Sequence, residues 1–166
     1  RKKDSSQSLF KRNTMIPYNN NRPFVESVSL ADIAKAQTTP FYIYSQTKIT
    51  NTFEQLKNSL NSEIFYCVKA NSNQSIIKLM ASLGAGADVV SAGELERAIL
   101  AGVEPQKRLL EGIGKTKQDI AFAIEKNIRL INIESIDELK RVNEVAFHQS
   151  KKINIGVRLN PNIDGQ

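Results

Sequence analysis

The sequence predicts an α/β fold built on a parallel sheet, and two observations predict it. Short apolar runs typical of strands alternate with stretches in which apolar residues recur every three or four positions, as on one face of a helix. These strand-plus-helix units follow one another at roughly 20 to 25 residues, which is the spacing of parallel strands joined by helical crossovers. A doubly wound open sheet and a (β/α)8 TIM-type barrel both fit, and the regular single-helix spacing favours the barrel.

The first predicted elements come before the regular repeat. Residues 24–30 alternate apolar and polar side chains, which predicts a half-buried strand, and Leu30–Ala36 reads as a short helix. Residues 41–44 are aromatic or β-branched and follow Pro40, as a buried strand would. Residues 46–60 carry apolar side chains at helical spacing. A first strand–helix unit is therefore expected at residues 41–60.

Five further strands are predicted, at residues 64–68, 88–90, 109–110, 130–133 and 153–159, with helices between them. Two of these helices open with a Ser-x-x-Glu capping box, at Ser91 and Ser135, and a third has Thr116 as its cap. In such a box the serine oxygen accepts the third helical amide, and the glutamate accepts the serine amide. The total is about six strands of the eight that a barrel needs, so an incomplete barrel is expected.

Charge and composition exclude several classes of protein. The formal net charge is +6, but residues 1–23 carry six of the basic residues and one acid, whereas the remainder is close to neutral. A continuous basic face for nucleic acid is therefore not predicted. With one cysteine and one histidine, the chain cannot form a disulfide scaffold or a structural zinc site. Neither a membrane-spanning apolar run nor a secretory signal is visible, so a cytoplasmic location is expected.

The charge distribution and the predicted strands and helices divide the chain into three segments. Residues 1–23, which are basic and rich in Ser and Asn, are expected to form a disordered tail, with a nucleic-acid-binding arm as the alternative. Residues 24–39 form the N-terminal strand and short helix. Residues 40–166 form the partial barrel.

Chemistry in parallel α/β folds lies where the strands end, and Lys69 is the outstanding residue there. Strand alternation puts Phe65, Cys67 and Lys69 on one side, which predicts an amine in a largely apolar channel. Burial would lower the lysine pKa, as a nucleophilic, carbonyl-attacking lysine requires. The alternative is a lysine that extends from the strand end into solvent.

Other strand ends offer weaker candidates. Asp88 could pair with Lys69 or with a protonated cofactor ring, or it could be a solvated or capping acid. Arg158 could clamp a carboxylate, or it could lie on the surface. Residues 112–116 resemble a phosphate cradle, but they lack the glycine spacing of a P-loop, so an NTPase is not predicted. Cys67 is expected to be a small core residue.

Five motifs in register with these strand ends resemble the diaminopimelate decarboxylase family. They are Tyr-Cys-Val-Lys-Ala-Asn-Ser at 66–72, Leu-Gly-Ala-Gly-Ala-Asp-Val-Val-Ser-Ala-Gly-Glu-Leu-Glu at 83–96, Glu-Gly-Ile-Gly-Lys-Thr at 111–116, Ile-Asn-Ile-Glu-Ser at 131–135 and Val-Arg-Leu-Asn-Pro at 157–161. The resemblance implies a decarboxylase dependent on pyridoxal 5'-phosphate (PLP), with a (β/α)8 barrel and a C-terminal β domain, usually a homodimer. Such enzymes convert meso-2,6-diaminopimelate to L-lysine and CO2 in lysine biosynthesis.

The resemblance also implies residue roles. Lys69 would hold PLP as an internal aldimine and later act in proton transfer. Asp88 would lie near it at the cofactor face, Ser91 would mark the same strand end, and Arg158 would help to organise the charged site. No metal is implied.

Several later elements of the family are not found in this sequence. They are the histidine stacked on the cofactor ring, the glycine-rich phosphate loop, the glutamate that pairs with the pyridine nitrogen, and the β domain. The chain is therefore expected to be an N-terminal portion that is inactive alone. The strand at residues 24–30, which in the family pairs with the β domain, is expected to lack a partner.

Related proteins share part of this pattern. Ornithine and arginine decarboxylases share the lysine motif but lack the Gly-Ile-Gly-Lys-Thr and Ile-Glu-Ser patterns, and alanine racemases differ after Lys-Ala-Asn. A catalytically dead PLP-binding homologue that serves as a binding or regulatory subunit would keep the same residues. A barrel fragment that folds only with a complementary piece is a further possibility.

Overall fold

A computed structural model describes residues 16–19, 22–161 and 163, and it divides the chain into two compact units, Arg1–Thr52 and Phe53–Gln166. Helix α2 (Gln46–Ser59) contains the boundary between them. Among the described residues, no helix combines the length and the apolar character that crossing a membrane requires.

The first unit contains a small antiparallel sheet of strands β1 (Tyr18–Asn19), β2 (Arg22–Val25) and β3 (Val28–Ser29), followed by helix α1 (Leu30–Ala36). The bounds of α1 are those predicted. The single strand predicted at residues 24–30 is wrong, because the chain reverses at Glu26, whose φ of 55° is left-handed.

The expectation that this segment lacks a partner is also wrong. Strands β2 and β3 pair with each other, and β1 pairs with β2. Residues 1–15 of the predicted tail lie outside the described residues, and the predicted tail boundary at residue 23 falls inside the β1–β2 hairpin.

The strand predicted at residues 41–44 is wrong as well. These residues form no strand, and the side chains of Tyr42 and Tyr44 are exposed. The apolar composition of the run fits a buried strand, but a strand also needs a neighbour for its backbone hydrogen bonds, and none of the described strands pairs with it. Among the described residues, five of the six predicted parallel strands are therefore present.

The second unit is built on a parallel sheet in which every strand lies beside the next one along the chain, in the order β4-β5-β6-β7-β8. Four helices make the crossovers, which confirms the α/β prediction and gives the winding of a partial barrel. The elements are β4 (Phe65–Cys67), α3 (Gln74–Ser82), β5 (Gly86–Val89), α4 (Ala92–Leu100), β6 (Arg108–Leu110), α5 (Lys117–Glu125), β7 (Leu130–Ile133), α6 (Ile136–His148) and β8 (Asn154–Val157).

The two faces of this sheet differ in chemistry. Val89, Leu110 and Ile131 are fully buried in one apolar cluster with residues of the crossover helices. Because successive strand residues point to opposite faces, the residue next to each of these three in its own strand lies on the other face. Those residues include Asp88 and Asn132, so this second face, called here the polar face, carries hydrogen-bonding and ionisable side chains.

Candidate functional site

The polar side chains that sequence reasoning singled out lie at the carboxyl ends of the parallel strands. Lys69 follows β4, Asp88 lies on β5 with Ser91 just beyond it, and Arg158 follows β8. Lys69, Asp88 and Ser91 belong to neighbouring strand ends. Arg158 lies at the other edge of the sheet, four strand spacings from β4, or roughly 19 Å along the sheet.

Lys69 does not lie in an apolar channel, so that prediction is wrong. Strand β4 ends at Cys67, and residues Val68–Ala70 form a single 3-10 turn. The turn sends Val68 into the helix-side core, where it is fully buried, and leaves Lys69 exposed. Alternation gave the side of the lysine correctly, since Lys69 acts electrostatically on Cys67 and Asp88, but it did not give the exposure of the lysine.

Asp88 is half-buried beside Cys67, its register partner on β4. Its Oδ1 atom is buried and has no hydrogen-bond partner among the described residues. Burial raises the pKa of Asp88 and the nearby Glu111 carboxylate adds to the rise, whereas the Cys67 thiol and the Lys69 ammonium oppose it and Glu94 reinforces it. Asp88 is therefore a carboxyl group with a spare acceptor and a raised affinity for a proton.

Cys67 is half-buried rather than a core residue, which corrects the prediction made for it. Burial raises the pKa of its thiol, and a hydrogen bond to Asp88 raises it further. The side chain is therefore a protonated thiol that can donate to the Asp88 carboxylate.

Ser91 caps helix α4, as predicted, by accepting a hydrogen bond from the Glu94 amide at 3.3 Å. The second half of the predicted box is wrong, because the Glu94 carboxylate accepts from the amide of Val90, one residue before the serine, at 3.0 Å. Ser135 and Glu138 repeat this arrangement. In both helices the glutamate side chain is long enough to reach past the serine to the amide of the residue before it.

A reciprocal capping box does occur at Thr116. The Thr116 amide donates to Asp119 Oδ2 at 3.0 Å, and the Asp119 amide donates to Thr116 Oγ1 at 3.1 Å. The other oxygen of Asp119 accepts the Ala92 amide of helix α4 at 2.8 Å. Although burial works against it, these hydrogen bonds hold the pKa of Asp119 below its usual range. Asp119 therefore joins the first turns of α4 and α5.

The loop at residues 112–116 is not a phosphate cradle, because its lysine is used inside the protein. Lys115 Nζ donates to the Gly112 carbonyl and lies 3.1 Å from both carboxylate oxygens of Glu138. Its side chain is 0% exposed and that of Glu138 is 6% exposed. An ammonium group has three N–H donors, and these contacts occupy them.

Two residues of the polar face were missed by sequence reasoning. Asn132 Nδ2 donates to Glu111 Oε1, and the Glu111 amide is held by the Val89 carbonyl at 2.8 Å. Asn132 occupies the space above Gly156, where a β-carbon would collide with Asn132 Oδ1. The sequence did contain a signal for Asn132. It lies between two apolar residues of β7, so strand alternation places it on the polar face.

Arg158 contacts the same end of the sheet through Glu134. Its Nη1 atom lies 3.8 Å from Glu134 Oε1, and the arginine side chain is 63% exposed. Its amide continues the strand pairing by donating to the Ile133 carbonyl at 3.0 Å. The guanidinium is therefore anchored at one edge and open to solvent.

A cavity of about 570 Å³ lies at the amino ends of the strands, lined by Phe65, Gly86 and Lys107 among others. Glu63, also on its wall, forms an ion pair with Arg129. This cavity lies at the opposite end of the strands from Lys69 and Asp88. The chemistry described above is therefore that of an open face and not of this cavity.

Comparison with known proteins identifies the family to which the chain is similar. Residues 46–166 match the family described as pyridoxal-dependent decarboxylase, pyridoxal binding domain. The diaminopimelate decarboxylase of Aquifex aeolicus is 40% identical over 153 residues, which cover 92% of this chain and 36% of that protein. The chain thus spans little more than a third of the length of this curated relative.

Solved structures of diaminopimelate decarboxylases are also similar to this chain. Diaminopimelate decarboxylase from Helicobacter pylori, complexed with L-lysine, matches with a TM-score of 0.77 at 39% identity, covering 81% of this chain and 35% of that one. The diaminopimelate decarboxylase of M. jannaschii matches with a TM-score of 0.82 at 35% identity, covering 92% of this chain and 37% of that one.

Proposed function

Since the chain belongs to the pyridoxal-dependent decarboxylase family through its pyridoxal-binding domain, we propose that it is the cofactor-binding part of a diaminopimelate decarboxylase. The reaction is the conversion of meso-2,6-diaminopimelate to L-lysine and CO2, in lysine biosynthesis. The identity to relatives of that name supports this substrate over ornithine or arginine, and so do the Gly-Ile-Gly-Lys-Thr and Ile-Glu-Ser patterns.

The observation that carries the proposal is the pairing of an exposed amine with an unsatisfied buried acceptor. Lys69 is exposed at the carboxyl end of β4, and on the adjacent strand Asp88 Oδ1 has no hydrogen-bond partner among the described residues. The cofactor of the family is pyridoxal 5'-phosphate. An aldehyde needs an accessible amine, and a protonated ring or the amine itself can satisfy the acceptor, so these residues fit that cofactor.

Each residue has a distinct role in this account. Lys69 Nζ would hold the cofactor through its aldehyde and would move a proton during turnover. Asp88 would accept a hydrogen bond at its unpartnered Oδ1 atom, and Ser91 keeps that strand end in place by capping α4. Arg158 offers its exposed guanidinium to a carboxylate. When bound, the cofactor supplies the electron sink that decarboxylation requires.

The setting follows from the same proposal. We expect the working enzyme to be a cytoplasmic homodimer, with the remaining parts of the site supplied by segments that this chain does not contain. We also expect the 166-residue chain alone to give no turnover. A homologue that binds the cofactor but has lost its activity is an alternative outcome of the test.

The test is CO2 release from carboxyl-labelled meso-2,6-diaminopimelate by the protein at the full length of its relatives. We expect CO2 and L-lysine from the wild type and from Lys140→Ala, a variant of an exposed lysine on α6, and none from Lys69→Ala. A preference for ornithine or arginine would contradict the substrate. Cofactor binding without CO2 would support the inactive homologue.

A further inference from the structure

The segment that carries Lys69 is closed by a hydrogen bond across its own turn. The 3-10 turn Val68–Ala70 follows strand β4 directly. On the far side of that turn, the backbone carbonyl of Asn71 accepts a hydrogen bond from the Tyr66 hydroxyl at 2.9 Å. Residues 66–71 therefore form a closed loop, and the lysine lies inside it.

Tyr66 is a well-placed donor for this contact, because packing holds its side chain. It is the register partner of the buried residue Ala87, and it packs against the apolar cluster on the helix side of the sheet. A tyrosine side chain has only two rotatable bonds, so packing of the ring leaves the hydroxyl little freedom. The Asn71 carbonyl is therefore held at a fixed place beyond the end of β4.

The neighbouring crossover helix holds the next residue of the same segment. Arg97 on α4 donates through Nη1 to the Ser72 carbonyl at 3.2 Å, and the Gln74 side chain donates to the Arg97 carbonyl at 3.0 Å. Within the segment, Asn71 Oδ1 accepts the Asn73 amide at 3.0 Å. Two consecutive carbonyls, those of Asn71 and Ser72, are thus held by side chains from two different elements.

These contacts restrict the backbone of Lys69, although its side chain is exposed. Val68, directly before the lysine, is fully buried in the core, and Asn71, two residues after it, is held by Tyr66. Because the backbone is anchored on both sides, the direction in which the lysine side chain leaves the chain is set. An amine held in this way loses less conformational entropy when it joins a ligand.

We propose that Tyr66 is a positioning residue for Lys69, which acts by holding the Asn71 carbonyl through its hydroxyl, and that Arg97 assists by holding the Ser72 carbonyl. Tyr66 acts through the backbone of the loop and not on the reacting atoms. The consequence for the cofactor rests on the proposed function, whereas the contacts of the loop do not. The two parts are therefore tested by separate measurements.

The first measurement is hydrogen–deuterium exchange with mass spectrometry, on the cofactor-free protein at the full length of its relatives. Tyr66→Phe keeps the ring and removes only the hydroxyl, so we expect the amides of residues 69–73 to exchange roughly two- to tenfold faster, the range that one hydrogen bond allows. Tyr42→Phe, which changes a tyrosine that is 91% exposed, is the matched control and should leave exchange unchanged. Unchanged exchange in Tyr66→Phe, or equally faster exchange in β7, would overturn a specific role in the loop.

The second measurement is titration of the same proteins with pyridoxal 5'-phosphate, followed by borohydride reduction and peptide mapping. We expect the cofactor concentration that labels half of Lys69 to rise by up to about tenfold in Tyr66→Phe, to rise less in Arg97→Met, and to stay unchanged in Tyr42→Phe. The same concentration in Tyr66→Phe as in the wild type would overturn the positioning role. Absence of label on Lys69 in the wild type would contradict the proposed function and the positioning role with it, whereas the exchange result would still decide the loop contact.

Discussion

The strand ends before α4 and α6 have the same cap, yet only one of them encloses a buried cation. In both, a serine accepts the third helical amide and a glutamate accepts the amide before the serine. Glu138 additionally binds the buried Lys115. No ion pair involves Glu94 among the residues that the structure describes.

The two ends share an interaction between residues close in sequence and differ in an interaction between residues far apart in sequence. The Ser-x-x-Glu pattern produces the cap wherever it occurs, because all of its hydrogen bonds lie within one turn. The lysine comes from the preceding crossover, 23 residues away from Glu138. The β7–α6 end is therefore tied to its neighbour by charge, whereas the β5–α4 end is tied to its neighbour by Asp119, which accepts the Ala92 amide.

Breaking the buried pair should have the largest effect. Lys115→Met leaves the Glu138 carboxylate buried without its cation, which should lower the free energy of unfolding by about 3–5 kcal/mol. Equilibrium urea denaturation followed by circular dichroism measures it. Adding Glu138→Gln should recover part of the loss, since the amide is neutral and still accepts the Glu134 N–H. A loss below about 1 kcal/mol in Lys115→Met would contradict a buried, charged pair.

Removing the two serine caps should have a smaller effect and sharpen the comparison. Ser91→Ala and Ser135→Ala each remove one helix-capping acceptor, so each should lower the free energy of unfolding by about 1 kcal/mol. The same denaturation experiment applies. Similar losses at both ends would show that the two caps are equivalent, so that the ends differ only in their contacts with Lys115 and Asp119. A much larger loss at Ser135 would show that the caps themselves differ.

The smallest expected effect is on the pH dependence of stability. The folded-state pKa of Asp119 is lowered, so its contribution is fully present above its unfolded pKa and is lost as the pH falls through the folded value. Asp119→Asn should therefore lower the thermal midpoint at neutral pH and change it little under acid conditions. Equal losses at both pH values would show that the charge of Asp119 does not contribute.

Asp88 should affect the pH dependence of stability in the opposite direction to Asp119. Its folded-state pKa is raised, so its ionised form destabilises the fold at a pH above that value, and the penalty disappears as the pH falls. Asp88→Asn should raise the thermal midpoint at neutral pH, with a smaller change under acid conditions. A lower midpoint at neutral pH would contradict a net destabilising effect of the ionised Asp88 carboxylate.

The sequence predicted those parts of the fold whose signals are local. The bounds of α1 and β7, the five parallel strands and the caps at Ser91 and Thr116 all depend on patterns a few residues long. The prediction of a strand at residues 41–44 failed because a strand needs a neighbouring strand, and composition does not show whether one is present. The prediction of a buried Lys69 failed because strand alternation gives the face on which a side chain lies and not how far it is exposed.

The missed parts of the site depend on contacts between distant residues. Asn132 and Glu111 are 21 residues apart, and Lys115 and Glu138 are 23 apart. No local pattern shows that the loop lysine is consumed by a glutamate of the next helix. The loop therefore resembled an anion site until its geometry showed an internal ion pair.

We propose Lys69 as the lysine that binds pyridoxal 5'-phosphate. The most direct measurement is an absorbance spectrum of the chain with this cofactor, followed by borohydride reduction and mass-spectrometric mapping of the modified peptide. Lys69→Ala is the test variant and Lys140→Ala is the control.

We expect a pyridoxyl group fixed on Lys69 in the wild type and in Lys140→Ala, and we expect it to be lost in Lys69→Ala together with the absorbance band. Reduction that distributes the label over exposed lysines such as Lys140, with the same yield in Lys69→Ala as in the wild type, would contradict it.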